Sequence, residues 1–144
     1  MKSMRRLWVV LLVLTIFAGH TLSAQDKEKA ATASASAWLA LIDSHQYGES
    51  WFQASSDFRG AASKEQWIHA LDTVRTPLGK LISRQLKSAT YTTKLPNVRP
   101  GEYVVLQYET SYEKAPGMNE TLVMMREKNG SWKADGYFIK RSGQ

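Results

Sequence analysis

The spacing of apolar positions changes once along the chain, near Gly79: before it they recur three and four residues apart, after it they alternate. Ala35, Trp38, Leu41, Ile42 and His45 fall on one helical face. "SHQYGES" interrupts that face at Gly48, and Tyr47, Trp51 and Ala54 then line a second, shorter helix, with Phe52 and Phe58 near it. A third helix is framed at both ends. Ser63 with Gln66 three residues on is a capping box, hydroxyl to a free backbone N–H and amide back to the cap, and Pro77 with Gly79 ends the segment. In between, Trp67, Ala70, Leu71, Val74 and Leu78 share a stripe from which Glu65, His69, Asp72 and Thr73 turn away.

Past Gly79 the period is two. "LISRQLKSATYTTKLP" is rich in Thr and Tyr and reads as a strand, closed by a turn at Pro96, Pro100 and Gly101. "EYVVLQYETSYE" puts Val104, Leu106, Tyr108, Thr110 and Tyr112 on one face and Val105, Gln107 and Glu109 on the other. "KAPGMN" reads as a hairpin loop, "ETLVMMRE" as a third strand, Asn129-Gly130 as a two-residue hairpin turn and "WKADGYFIKR" as a fourth strand. Three helices followed by four antiparallel strands predict an α+β domain, the helices packed on one face of a meander.

The N-terminus follows neither period. Lys2, Arg5 and Arg6 precede "LWVVLLVLTIFA", and "HTLSA" then ends in small residues, the pattern of an export signal cleaved after Ala24. Twelve apolar residues fall short of the about 20 needed to span a bilayer, so no integral span is expected after cleavage. With no Cys after the run, a lipoprotein anchor is excluded. The expected organisation is a signal over residues 1–24, a flexible leader over 25–33 and one domain over 34–144, exported to the periplasm or secreted.

Charge matters less than the whole chain suggests. The 144 residues carry a formal net charge of +6, but without the signal 16 basic and 13 acidic side chains remain, a net +3. The absence of Cys rules out disulfides and thiolate chemistry, so stability rests on packing.

The landmarks together resemble a bacterial family of exported proteins, the domain-of-unknown-function family numbered 4019. The resemblance rests on "AWLALIDSHQYGESWFQAS", "FRGAASKEQWIHALDTVRTPLGKLISRQL", "YTTKLPNVRPGEYVVLQYETSY" and "GSWKADGYFI". It implies export and a compact helix-plus-sheet domain, and supplies no activity or catalytic residue. By architectural analogy the order of elements is similar to the cystatin-like and nuclear-transport-factor-like rolls, in which a curved sheet wraps helices and which host enzymes and binders alike.

Candidate chemistry is sparse. His45 and His69 lie on different helices without metal-ligand spacing, so no metal or cofactor is expected, and there is no G-x-S-x-G nucleophile elbow. A concave sheet closed by helices can hold an apolar pocket where a carboxylate of raised pKa moves a proton. Asp57, Asp72 and Asp43 are the acids in the helical region, with Tyr108 or Tyr112 as donors; Tyr108, Tyr112 and Asp57 form the candidate pocket. The competing reading makes the aspartates helix caps and the tyrosines core. No acid occurs between Asp72 and Glu102, whereas Arg75, Lys80, Arg84, Lys87, Lys94 and Arg99 all do. Arg84, Lys87, Lys80 and Lys94 are the candidate surface for an anion or partner, unless neighbouring strands neutralise them through Glu102, Glu109, Glu113, Glu120 and Glu127. Arg75, at a helix C-terminus, is expected to anchor the turn that follows. Nucleic acid is not an expected partner, because the aromatics follow core periods rather than a stacking ladder. The expectation is an exported, non-enzymatic binding or envelope-associated protein, its partner an envelope protein or anionic envelope surface. The competing expectation is a small-ligand carrier or pocket enzyme using the concave sheet face.

Overall fold

A computed structural model describes residues 21–144; the apolar run of the expected export signal lies outside them. Helix α1 (Ala24–Asp43) opens on a capping box between Ser23 and Asp26. Residues 25–33, expected as a leader, form the first half of α1. Alanine is the best helix former, Ala31 is wholly buried, and two side chains bind the stretch to the sheet. The Lys27 ammonium lies 2.6 Å from the Glu102 carboxylate, and Glu28 accepts the Tyr91 N–H at 2.9 Å. At the other end of α1, His45 takes the left-handed conformation (φ 59°) that closes the helix, which lifts its ring off the apolar face.

Three shorter helices follow, one more than expected: α2 (Tyr47–Gln53), α3 (Ser56–Ala61) and α4 (Lys64–Val74), with a 3₁₀ turn at Thr76–Leu78. The extra one arises because Ala54 is extended and Ser55 caps a new helix, accepting the Phe58 N–H. The Ser63–Gln66 box is present at the start of α4. Its buried stripe is narrower than the apolar one: Trp67, Leu71 and Arg75, four apart, point inward, whereas Ala70 and Val74 are exposed.

The sheet is an antiparallel meander in the order β1 (Leu81–Thr92), β2 (Tyr103–Tyr112), β3 (Ala115–Arg126), β4 (Trp132–Arg141). β3 starts earlier than expected. Gly117, at φ 70°, forms a bulge opposite Ser111 that lets Pro116, which has no N–H to give, stay in the strand. The β3–β4 connection is also not the expected two-residue turn. Gly130 N–H bonds the Glu127 carbonyl with φ 88°, so the loop holds three residues, Lys128 to Gly130.

The helices cover the face carrying Val104, Leu106, Tyr108, Thr110 and Tyr112, the phase that the alternation of β2 sets. The core above it is aromatic. Trp67 meets Phe58 edge-on at 4.9 Å between centroids and lies 6.1 Å from Trp38, while both indoles donate to Ser50, one to its hydroxyl and one to its carbonyl. Such pairs add about 0.5–1.5 kcal/mol each beyond the area they bury. Among the described residues, no helix is long and apolar enough to cross a membrane.

Candidate functional site

Ionisable side chains gather in two places. The first is under the helices. Glu120 on β3 is in phase with Leu122 and Met124, so strand geometry points its carboxylate into the core, where none of it is exposed. It accepts from Arg84 Nε at 2.7 Å, from Thr110 Oγ1 at 2.7 Å and from the Tyr137 hydroxyl. Arg84, on β1, also donates to both oxygens of Asp43 at 2.7 and 2.9 Å. Asp43 is the last residue of α1, where the helix dipole is negative, and a second cation meets it there. That cation is Arg75, fully buried, 3.4 Å from Asp43, donating to the Gly79 carbonyl at 2.7 Å and stacked over the Tyr112 ring at 4.3 Å. Arg75 thus anchors the turn after α4, as its position predicted.

The cluster balances two cations against two carboxylates and ties α1, α4, β1 and β3 together. Burial opposes the charge on Arg84, but the hydrogen bonds to Asp43 and Glu120 outweigh it and hold the guanidinium above its ordinary range. Burial pushes the Tyr108 hydroxyl up to about 12 and raises Tyr112 and Tyr137 as well, with the negative charge of Glu120 acting in the same direction. The hydroxyls of Tyr108 and Tyr112 and the Arg75 Nε have no hydrogen-bond partner among the described residues.

The second place is at the opposite end of the sheet. A cleft of ≈ 1110 Å³ opens between α3, the β1–β2 loop and the β3–β4 hairpin. Ser55 sets its width: its N–H bonds the Ala134 carbonyl at 2.8 Å and its hydroxyl meets Asp135 Oδ1 at 2.5 Å, which pins the start of α3 to β4. Asp135 is the extra residue of a bulge, and burial raises its carboxyl, with the nearby charges of Asp57 and Glu127 acting the same way against Ser55 and Arg99. Arg99 pairs with Asp57 at 2.6 Å, and Arg126 with Glu102 at 3.1 Å. Arg59, Lys128 and Lys133 also line the cleft and pair with no carboxylate among the described residues.

The residues singled out in sequence are not brought together. Lys80 and Lys94 are exposed at opposite ends of β1, separated by roughly 40 Å of strand. Lys87, also exposed, lies 3.6 Å from Glu109, and Arg84 faces the other way, into the cluster, with only 13% of its side chain exposed. Tyr108 and Tyr112 are core residues, whereas Asp57 stands on the wide cleft. Glu120 is the expected kind of strand partner for Arg84, but its place at the centre of a buried cluster was missed; its shared phase with Leu122 and Met124 was the available signal. Arg75 had a similar signal, four residues beyond Leu71.

Comparison with known proteins bears on the whole domain. The DUF4019 family model, described as a protein of unknown function, matches residues 34–137. The chain belongs to this family. No curated protein and no solved structure matches it, so the roll-like folds remain an architectural analogy. The family span runs from the middle of α1 to β4 and takes in both the buried cluster and the cleft.

Proposed function

We propose that this DUF4019 protein is an exported, non-enzymatic binding protein of the cell envelope that acts through its outer surface. The observation that carries the reading is where charge is consumed. Under the helices, Glu120, Asp43, Arg84 and Arg75 neutralise one another in a filled core. In the wide cleft, Arg59, Lys128 and Lys133 have no carboxylate partner among the described residues. An acid–base catalyst must come within ~3 Å of a substrate atom. Trp38, Trp67 and Leu106 occupy the space where the concave sheet face would have to admit one. Export is supported by the charged-then-apolar pattern of the N-terminus.

A small-ligand carrier is the second reading, favoured by the two buried tyrosine hydroxyls without partners. None of the three described clefts is lined by either tyrosine. Photocrosslinking in intact cells tests between the two. Probes at exposed positions should yield a discrete adduct with an envelope component. No adduct from any surface position, together with a small molecule retained by the purified protein, overturns the binding reading in favour of the carrier.

A further inference from the structure

We infer that the cleft between α3 and the β3–β4 hairpin is a docking site for an extended acidic peptide segment of a partner protein. The inference rests on the binding-protein reading and narrows it to one surface and one chemistry.

Size comes first. Small-molecule sites run about 300–1,000 Å³ and enclose most of their ligand. This cleft, at ≈ 1110 Å³ and open to solvent, suits a length of chain better than a small metabolite.

Charge supplies the sign. Lys128 stands at the hairpin tip, Lys133 at the start of β4, and Arg59 is steadied on α3 by one hydrogen bond to the Phe52 carbonyl at 3.0 Å. These three cations converge on the cleft with no carboxylate spent on them among the described residues. Arg99 and Arg126 add two more, and the partner of Arg99 is exchangeable. The Arg99–Asp57 pair is exposed by 58% and 38%, and an exposed pair gives up its geometry at little cost when another carboxylate arrives. Five cations against three carboxylates line the cleft, an excess that steers an acidic chain toward it.

Shape and composition decide the class of partner. A planar lipid surface cannot enter a concavity. Stacked bases and sugar faces need aromatic platforms, and the one aromatic ring lining the cleft, Phe52, already carries the Lys64 ammonium 4.8 Å from its centre. Carboxylates on a flexible backbone need only the cations that are present.

The test uses fluorescence anisotropy of a labelled octaglutamate peptide with the domain at low salt. Three proteins are compared: the parent, the triple variant Arg59→Ala/Lys128→Ala/Lys133→Ala, and the triple variant Lys80→Ala/Lys87→Ala/Lys94→Ala. The last two remove the same number of charges from different surfaces. Matching urea midpoints would establish that both variants fold; should the cleft variant fall short, Lys128→Ala/Lys133→Ala, both changes on or beside the hairpin, takes its place. The expected result is a loss of about tenfold or more in the cleft variant and within about twofold in the β1 variant. Equal losses in the two overturn the proposal by showing charge attraction without a site. So does cleft-dependent binding of anionic phospholipid vesicles or a sulfated oligosaccharide without binding of the peptide. Crosslinked adducts that map away from the cleft also overturn it while leaving the binding-protein reading intact, whereas loss of all surface adducts removes that reading itself.

Discussion

Two systems of ion pairs sit at opposite ends of one sheet, and they differ in what surrounds them rather than in what they are made of. Both join an arginine to a carboxylate at about the same distance: Arg84 to Glu120 at 2.7 Å, Arg99 to Asp57 at 2.6 Å. Glu120 is wholly buried, and Arg99 is more than half exposed. Water competes freely for the second pair and is largely kept from the first, where none of Glu120 is exposed. A buried pair whose every member is satisfied commits its elements to one arrangement, and its groups are closed to any partner. An exposed pair contributes little to stability and stays available for exchange. The contrast assigns stability to one end of the molecule and recognition to the other.

The sharpest way to break that contrast is to remove Glu120. Glu120→Ala strands Arg84 beneath the helices with only Asp43 to share, and leaves the Thr110 and Tyr137 hydroxyls without their acceptor. The expected loss is about 3–5 kcal/mol, measured as a lower urea midpoint at unchanged slope. The double variant Arg84→Met/Glu120→Leu should recover much of it, because no uncompensated charge is then left in the core. A loss below ~1 kcal/mol for Glu120→Ala would show that water reaches this end too, and the distinction between the two ends would fail.

Tyr137→Phe is a milder probe of the same cluster. The carboxylate keeps Arg84 and Thr110 and loses one hydroxyl donor, so the expected cost is about 1–2 kcal/mol. A cost equal to that of Glu120→Ala would mean that the tyrosine, not the arginine, holds the charge in place.

Sequence periodicity carried the architecture further than the site. The switch of period at Gly79 and the alternation of β2 located the strands and the face the helices cover, because burial on one side of a sheet imposes a strict period of two. The features that escaped are those that break a period. Asp135 is an added residue in β4, so the inward phase passes from Trp132 and Ala134 to Tyr137, and nothing local marks the shift. The bulge at Gly117 likewise hid the start of β3 inside what reads as a loop. The burial of Arg84, Arg75 and Glu120 escaped for another reason. A charged residue in apolar phase is most simply assigned to the surface, and only the meeting of α1, α4, β1 and β3, distant in sequence, supplies the counter-charges that let it stay inside. The cleft's cations come from α3, a loop and a hairpin, and no single segment of sequence reveals that they converge.

The smallest expected effect lies at the cleft end of the sheet, where two carboxyls shift in opposite directions. The Lys27 ammonium holds Glu102 below its ordinary range against the effect of burial, helped by Tyr91 and Arg126. A depressed carboxyl contributes stability that is present above its unfolded value, about 4.3, and is lost as the pH falls through the folded value. Asp135 is raised, chiefly by burial, so its contribution is full below about 3.9 and is lost as the pH rises through the folded value. Near pH 7, Glu102→Gln should therefore lower the urea midpoint, and Asp135→Asn, which keeps an acceptor for the Ser55 hydroxyl, should leave it unchanged or raise it. Glu102→Gln should approach the parent as the pH falls through the folded value of Glu102, and Asp135→Asn as it falls through that of Asp135. If Asp135→Asn instead loses more stability near pH 7 than near pH 3, the Asp135 carboxylate is serving Arg99 as a stabilising counter-ion. Arg99 would then be held by two carboxylates, Asp57 and Asp135, and would be less free to meet an acidic partner in the cleft.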